Sequence, residues 1–186
     1  MAILIPFDRF TAEAALIGKM LTGYAVLEID LMHCVNAVRH DENAVLKAIF
    51  SVRGEKRRID VASAAGRELY EGLGLRDDFA LAIAAMHHCR KIRNQYAHCV
   101  WWDDNTPKLA FRAVEEIAEQ EEAVRLAHLV PNHVTVPLLQ DQLDYFEYTD
   151  DFLHWLIRDS LRLQRLPFHP AVQRPAARAQ PALSLP

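Results

Sequence analysis

Leu16, Met20, Tyr24, Leu27, Leu31, Cys34 and Val38 recur at spacings of three and four along the chain. That rhythm puts them in one apolar stripe and predicts a long helix over residues 11–39. Thr11 is a candidate N-cap, with Phe10 before it and Glu13 just after. The run DENAVLKAIFSV predicts a shorter helix from around Asp41, and RGEKRR then breaks the pattern with Gly54 as the stop. A third helix over residues 56–72 turns Ile59, Ala62, Leu69 and Tyr70 inward and ends in EGLGLR, at Gly72 and Gly74. The fourth starts near Arg76–Asp78 and runs through FALAIAAMHHCRKIRNQYAH.

After His98 the period changes. VWWDDNTPKLAFRAVEE holds two short strand-like runs around DDNTP, the pattern of a β-hairpin. Residues 115–130 are charged and helical at least in part, and PNHVTVP reads as a connector. From Pro137, a proline in a first helical turn, the stripe Leu139, Leu143, Phe146, Leu153, Leu156 or Ile157, and Leu161 predicts a long closing helix. Beyond Leu166 lie five of the nine prolines and no periodicity. The chain therefore reads as one helical domain over residues 1–166, followed by a Pro/Ala/Arg-rich disordered tail over 167–186. Helix on helix without internal repeat gives an all-α fold, an antiparallel bundle with a small β-hairpin after the fourth helix.

Composition narrows the class. With 186 residues, 51% apolar and 25% charged, the chain can bury one substantial core. It lacks any run of about 18 apolar residues, which argues against a spanning helix. Its start, MAILIPFDRFTAEAAL, has no basic region ahead of the apolar patch and is not read as a signal peptide. Cys34, Cys89 and Cys99 are too few and too irregular for a disulfide framework, so a cytoplasmic protein is expected. The net charge of −4 is uneven: four arginines and no acid lie from Arg162 onward, leaving 17 basic against 25 acidic residues before it. An acidic body argues against extended non-specific nucleic-acid binding, which needs many phosphate contacts, but not against a local phosphate site.

The fourth helix carries the unusual chemistry. At 100° per residue, Ala82, Ala85, Cys89, Ile92 and Tyr96 share an apolar stripe, while His87, Asn94 and His98 lie on a different face, flanked by Arg90 and Lys91. No acid occurs from Ala80 to Val100, so the usual (i, i+4) pairing of Glu with Lys is missing. Such a face suits an anion and groups that exchange protons near neutrality. A solvated basic face resting on acidic neighbours from elsewhere in the chain has the same appearance on a helical wheel.

The segment Arg93-Asn94-Gln95-Tyr96-Ala97-His98 resembles the R-x4-H motif of HEPN domains, the higher eukaryotes and prokaryotes nucleotide-binding superfamily. A polar residue follows the arginine, as Asn94 does, and the motif sits late on a long helix before a closing helix. The resemblance implies a HEPN-like bundle over about residues 11–163 and a cytoplasmic homodimer whose two motifs meet at the interface. It also implies a metal-independent endoribonuclease, of the kind found among toxins and defence proteins, with no cofactor and with RNA as substrate. A cognate antitoxin or other regulatory protein is a further implied partner. Some members of the superfamily are instead non-catalytic interaction or scaffold modules, the alternative for this chain. A hairpin with two tryptophans directly after the motif departs from simpler members.

In the catalytic reading, His98 has the side chain for general acid–base work near pH 7. Arg93 is a permanent planar cation for a phosphate, and Asn94, one turn before His98, could orient either group. His87, Arg90 and Lys91 are candidate substrate-binding residues. Arg93 and His98 are about 140° apart on a regular helix, so the arginine's length, a loosened helix or a second protomer must bring them to one phosphate. A metal held by His87, His88 and Cys89 with His98 and Cys99 is not expected, because about 15 Å of helix separates the two groups. Arg53–Arg58 reads as a solvated connector. Of Trp101 and Trp102, at alternating strand positions, one is expected in the core and the other in a contact.

Overall fold

The computed structural model describes residues 5–113, 130–165 and 170–185. The chain is mostly helical, with a small antiparallel sheet, and the described residues form six helices and three strands. In chain order these are α1 (Ile5–Arg9), α2 (Thr11–Arg39), α3 (Glu42–Phe50), α4 (Glu55–Gly72), α5 (Arg76–Ala97), β1 (Cys99–Trp102), β2 (Leu109–Ala113), β3 (Asn132–Val134) and α6 (Val136–Leu163). The charged stretch expected to be helical, 115–130, lies outside the described residues except for Val130. No helix among the described residues is long and apolar enough to cross a membrane.

The helix boundaries follow from local chemistry. Asp41 caps α3 by accepting the Ala44 amide at 3.0 Å. Gly54, at φ 86°, precedes α4 as its N-cap rather than stopping α3, which already ends at Phe50. The start differs from expectation: Thr11 is not an isolated cap, because α1 leads into α2 through Phe10. The Phe10 carbonyl accepts from the Ala14 amide at 3.0 Å, and the Phe10 amide donates to the Pro6 carbonyl at 3.1 Å. Phe10 is buried, so packing of this ring, absent from any capping rule, holds the approach to α2.

The chain groups into two compact units. The second comprises Gly23–Arg90 and Tyr145–Gln180, and it is helical throughout its regular structure. Its core takes the stripe of α2 from Tyr24 to Val38, Ile59, Ala62 and Tyr70 of α4, Ala82, Met86 and Cys89 of α5, and Phe152, Leu153 and Leu156 of α6. Leu69, expected inward, is 39% exposed, because its neighbour Tyr70 takes the inward position. The Tyr70 ring stacks on Phe79 with centroids 4.4 Å apart. Its hydroxyl donates to the Cys34 carbonyl at 2.8 Å, which leaves the Cys34 thiol to donate back to the phenol oxygen at 2.9 Å. Burial pushes the Cys34 thiol up to about 12 and raises the Tyr70 phenol as well.

The first unit comprises Met1–Thr22, Lys91–Asp144 and Pro181–Pro186. Its sheet has the order β1-β2-β3, all antiparallel, with Trp101 opposite Phe111 and Leu109 opposite Val134. The expected hairpin is therefore the β1–β2 pair, and the stretch read as a connector supplies its third strand. Trp101 packs among Phe7, Tyr96 and Phe111 at centroid distances of 5.5, 5.6 and 5.2 Å. The turn between β1 and β2 is built from Asx contacts. Asp103 accepts from the Asn105 amide, Asp104 accepts from Thr106, and Asn105 takes φ 65°.

The tail expected to be disordered makes specific contacts in its described residues, 170–185. Within the second unit, Arg174 binds Asp78 at 2.7 Å and lies over the rings of Phe152 and Trp155. Within the first unit, Leu185 exchanges both backbone hydrogen bonds with His133 of β3. The absence of periodicity was legible; that an extended segment can be held through its carbonyls and one arginine was not.

Two glycines separate space from propensity. A Cβ on Gly66 would lie 2.6 Å from the Phe79 ring, which Tyr70 blocks from behind, whereas a Cβ on Gly18 meets nothing within 4 Å. Gly18→Ala is expected to stabilise the protein by about 0.5–1 kcal/mol through helix propensity. Gly66→Ala is expected to destabilise it by about 1 kcal/mol net, the overpacking outweighing the same gain. Urea denaturation of both variants tests the opposite signs.

His133 also holds Asp104, Nε2 to Oδ2 at 2.8 Å, and this contact with that of Thr106 lowers the Asp104 carboxyl to about 2. A depressed carboxylate adds stability above its ordinary range that is lost as pH falls from about 4 towards 2. Asp104→Asn is expected to cost about 1 kcal/mol at neutral pH, the scale of a partly exposed pair. The difference should vanish near pH 2 in denaturation curves taken across that range.

Candidate functional site

Helix α5 buries the stripe expected of it, with Ala82, Ala85, Cys89, Ile92 and Tyr96 all inside. That burial fixes where the remaining side chains of the helix can go. His87, Arg90, Arg93 and Asn94 are half-buried, and Lys91 is exposed. The helix ends at Ala97, so His98 is the first residue beyond it, exposed, before the chain enters β1.

Asn94 links the three motif residues. Its side-chain Oδ1 accepts from Arg93 Nη1 at 3.1 Å, and its backbone carbonyl accepts from the His98 amide at 3.3 Å. The last helical turn is thus closed onto His98, which keeps Asn94 and His98 one turn apart. At the same point the chain leaves helical geometry, so His98 is not bound to the 100° step that separates it from Arg93 on a regular helix.

The residues between Arg93 and His98 turn out to be structural. Tyr96 is buried, and its hydroxyl donates to Gln142 Oε1 of α6 at 2.6 Å. Gln142, itself fully buried, passes the chain on by donating to the carbonyls of Ala182 and Leu183 at 2.7 and 3.0 Å. Gln95 donates to the same Leu183 carbonyl at 2.8 Å. The two consecutive tail carbonyls are therefore satisfied by two glutamines, one of them oriented by Tyr96, a polar network that a helical wheel cannot show. Burial raises the Tyr96 phenol, against the opposing contact of Gln142.

The expected substrate-binding residues are dispersed in role. His87 faces Asp60 of α4, Nε2 to Oδ1 at 3.6 Å, which is the acidic neighbour that an ordinary basic face would have. Arg90 keeps its Nε buried without a hydrogen-bond partner among the described residues. Lys91 is the solvated cation of the set. The histidine and cysteine beside His87 are committed to the core: His88 packs edge-on to Tyr145, and Cys89 meets the Thr149 hydroxyl at 3.4 Å. Burial pushes the thiols of Cys89 and Cys99 up to about 12, which keeps them protonated and poor as ligands.

Comparison with protein-family models, with curated proteins and with solved structures found no significant match.

Tyr96→Phe removes one hydroxyl and leaves the Gln142 oxygen buried without a donor. The expected cost is about 1–3 kcal/mol. Amide exchange around Ala182–Leu185 should rise in the variant, because Gln142 then lacks the contact that orients it. Unchanged exchange there would show that the tail is held without this network.

Proposed function

We propose that this chain is a HEPN-like homodimeric, metal-independent endoribonuclease with Arg93, Asn94 and His98 at its active site. The observation that supports it is the grouping at the end of α5: an exposed His98, and a half-buried Arg93 held by the side chain of Asn94, whose backbone carbonyl accepts from the His98 amide. In this reading the 2′-hydroxyl of a ribose attacks the adjacent phosphodiester. Charge grows on the phosphoryl oxygens and a proton must reach the leaving 5′-oxygen. Arg93 stabilises that charge, His98 takes the proton from the 2′-hydroxyl as its oxygen bonds to phosphorus and supplies the one gained by the 5′-oxygen as its bond to phosphorus breaks, and Asn94 holds the guanidinium in position. Lys91 and Arg90 contribute cationic attraction for the strand. The proposed second protomer brings its own motif to the same interface, and an antitoxin-like regulatory protein would cover it.

The interaction-module reading draws on a different contact. Arg93 already spends one guanidinium nitrogen on Asn94, and His87 is taken by Asp60, as befits residues that build a surface. Cleavage of labelled RNA in EDTA decides between the two. The wild type is expected to yield 2′,3′-cyclic phosphate ends, and an Arg93→Ala/His98→Ala variant to lose roughly 100-fold or more of the rate. A folded, dimeric wild type without cleavage would leave the interaction module.

A further inference from the structure

A second polar cluster lies within the Gly23–Arg90/Tyr145–Gln180 unit, on residues that no motif marks. Asp30 of α2 is 7% exposed, although it carries a carboxylate. His154 of α6 stands between it and Asp150, with Nε2 3.6 Å from Asp30 Oδ1 and Nδ1 3.3 Å from Asp150 Oδ2. One donor atom from each of the three residues lies within 4.8 Å of the other two. Asp30 Oδ2 is buried with no hydrogen-bond partner among the described residues. Asp30 and His154 also line an open cavity of about 350 Å³, together with His33, Asn36 and His40.

Two carboxylates this close, one of them buried, carry like charge that needs a neutralising partner. A proton cancels one charge; a divalent ion cancels both. Donor atoms around an ion with bonds of about 2.1 Å in tetrahedral geometry stand roughly 3.4 Å apart; here one donor atom from each residue lies within 4.8 Å of the other two, and rotation of the partly exposed Asp150 and His154 side chains can close them onto an ion. It also supplies the orphaned Asp30 oxygen with a partner.

We propose that Asp30, Asp150 and His154 form a binding site for a borderline divalent transition-metal ion, of the Zn²⁺ class, that ties α2 to α6. Imidazole with two carboxylates and no thiolate selects this class over soft ions, and the histidine disfavours Mg²⁺. Only one ring nitrogen of His154 can bind a single ion, so binding replaces one of its two carboxylate contacts with the ion. The cavity beside Asp30 and His154 gives water room on the remaining coordination positions.

The test titrates Zn²⁺ into EDTA-stripped, desalted full-length protein by calorimetry, with thermal unfolding in parallel. One equivalent should bind per chain and raise Tm, and Mg²⁺ at the same concentration should leave Tm unchanged. His154→Gln and Asp150→Asn change side chains that are 49% and 36% exposed, so both variants should fold, as circular dichroism would check. Each should weaken binding by about tenfold or more, while Cys99→Ser should bind as the wild type does. No saturable uptake by folded wild type, uptake retained in both variants, or uptake lost with Cys99 would each overturn the site. RNA cleavage is read in EDTA, so this inference and the proposed nuclease fail separately.

Discussion

A buried hydroxyl in an apolar core must find a partner inside the protein, and the one on Tyr70 organises much of what surrounds it. Full burial of the ring brings its oxygen beside α2, where the Cys34 carbonyl accepts its proton and the Cys34 thiol returns one. The opposite face of the ring holds Phe79, and Phe79 in turn leaves room on α4 only for a glycine at residue 66. Three helices are thus positioned by the need to satisfy one polar atom without admitting water. Exposure of Leu69, the neighbour that a stripe-based reading also turned inward, follows from the same fit.

The polar contacts outside that core sort into two kinds. Some are surface pairs of modest worth, such as Lys56 with Asp60 and Arg76 with Glu71. Others lie where the backbone would otherwise have unsatisfied groups: Gln142 and Gln95 on the tail carbonyls, and Gln164 on the Ala37 carbonyl at the end of α2. Glutamine recurs in this second role because its amide offers donors and an acceptor at the end of a reach long enough to cross between elements. The candidate site borders on such a network. Gln95 and Tyr96, between Arg93 and His98, belong to the scaffold rather than to the chemistry.

Helices were legible because their period is written into consecutive residues: the stripe of α2 and that of α5 are buried as the spacing requires. The hairpin was legible from the change of period and the DDNTP turn. What escaped was non-local. The third strand is three residues long, and its neighbours are β2 and a single residue, Leu185, so nothing in NHV itself announces a sheet. For the candidate site, Arg93, Asn94 and His98 stand out within six residues of sequence. Asp30 and His154 sit in ordinary helical patterns far apart in the chain, where a lone aspartate or histidine looks like any solvated residue. Their proximity depends on helix packing, which no short motif encodes.

The way Leu183 and Leu185 are held has a consequence for the order of synthesis. The unit that contains α1, the three strands and the start of α6 is stitched from three separate stretches, the last of which begins at Pro181. A chain emerging from the ribosome can complete the Tyr70 core earlier, but Gln95, His133 and Gln142 must wait for carbonyls made later, from 40 residues on for Gln142 to 88 for Gln95. Closing such long loops is slow and entropically costly. During that interval the Gln142 amide lacks the two carbonyls that it holds in the folded unit.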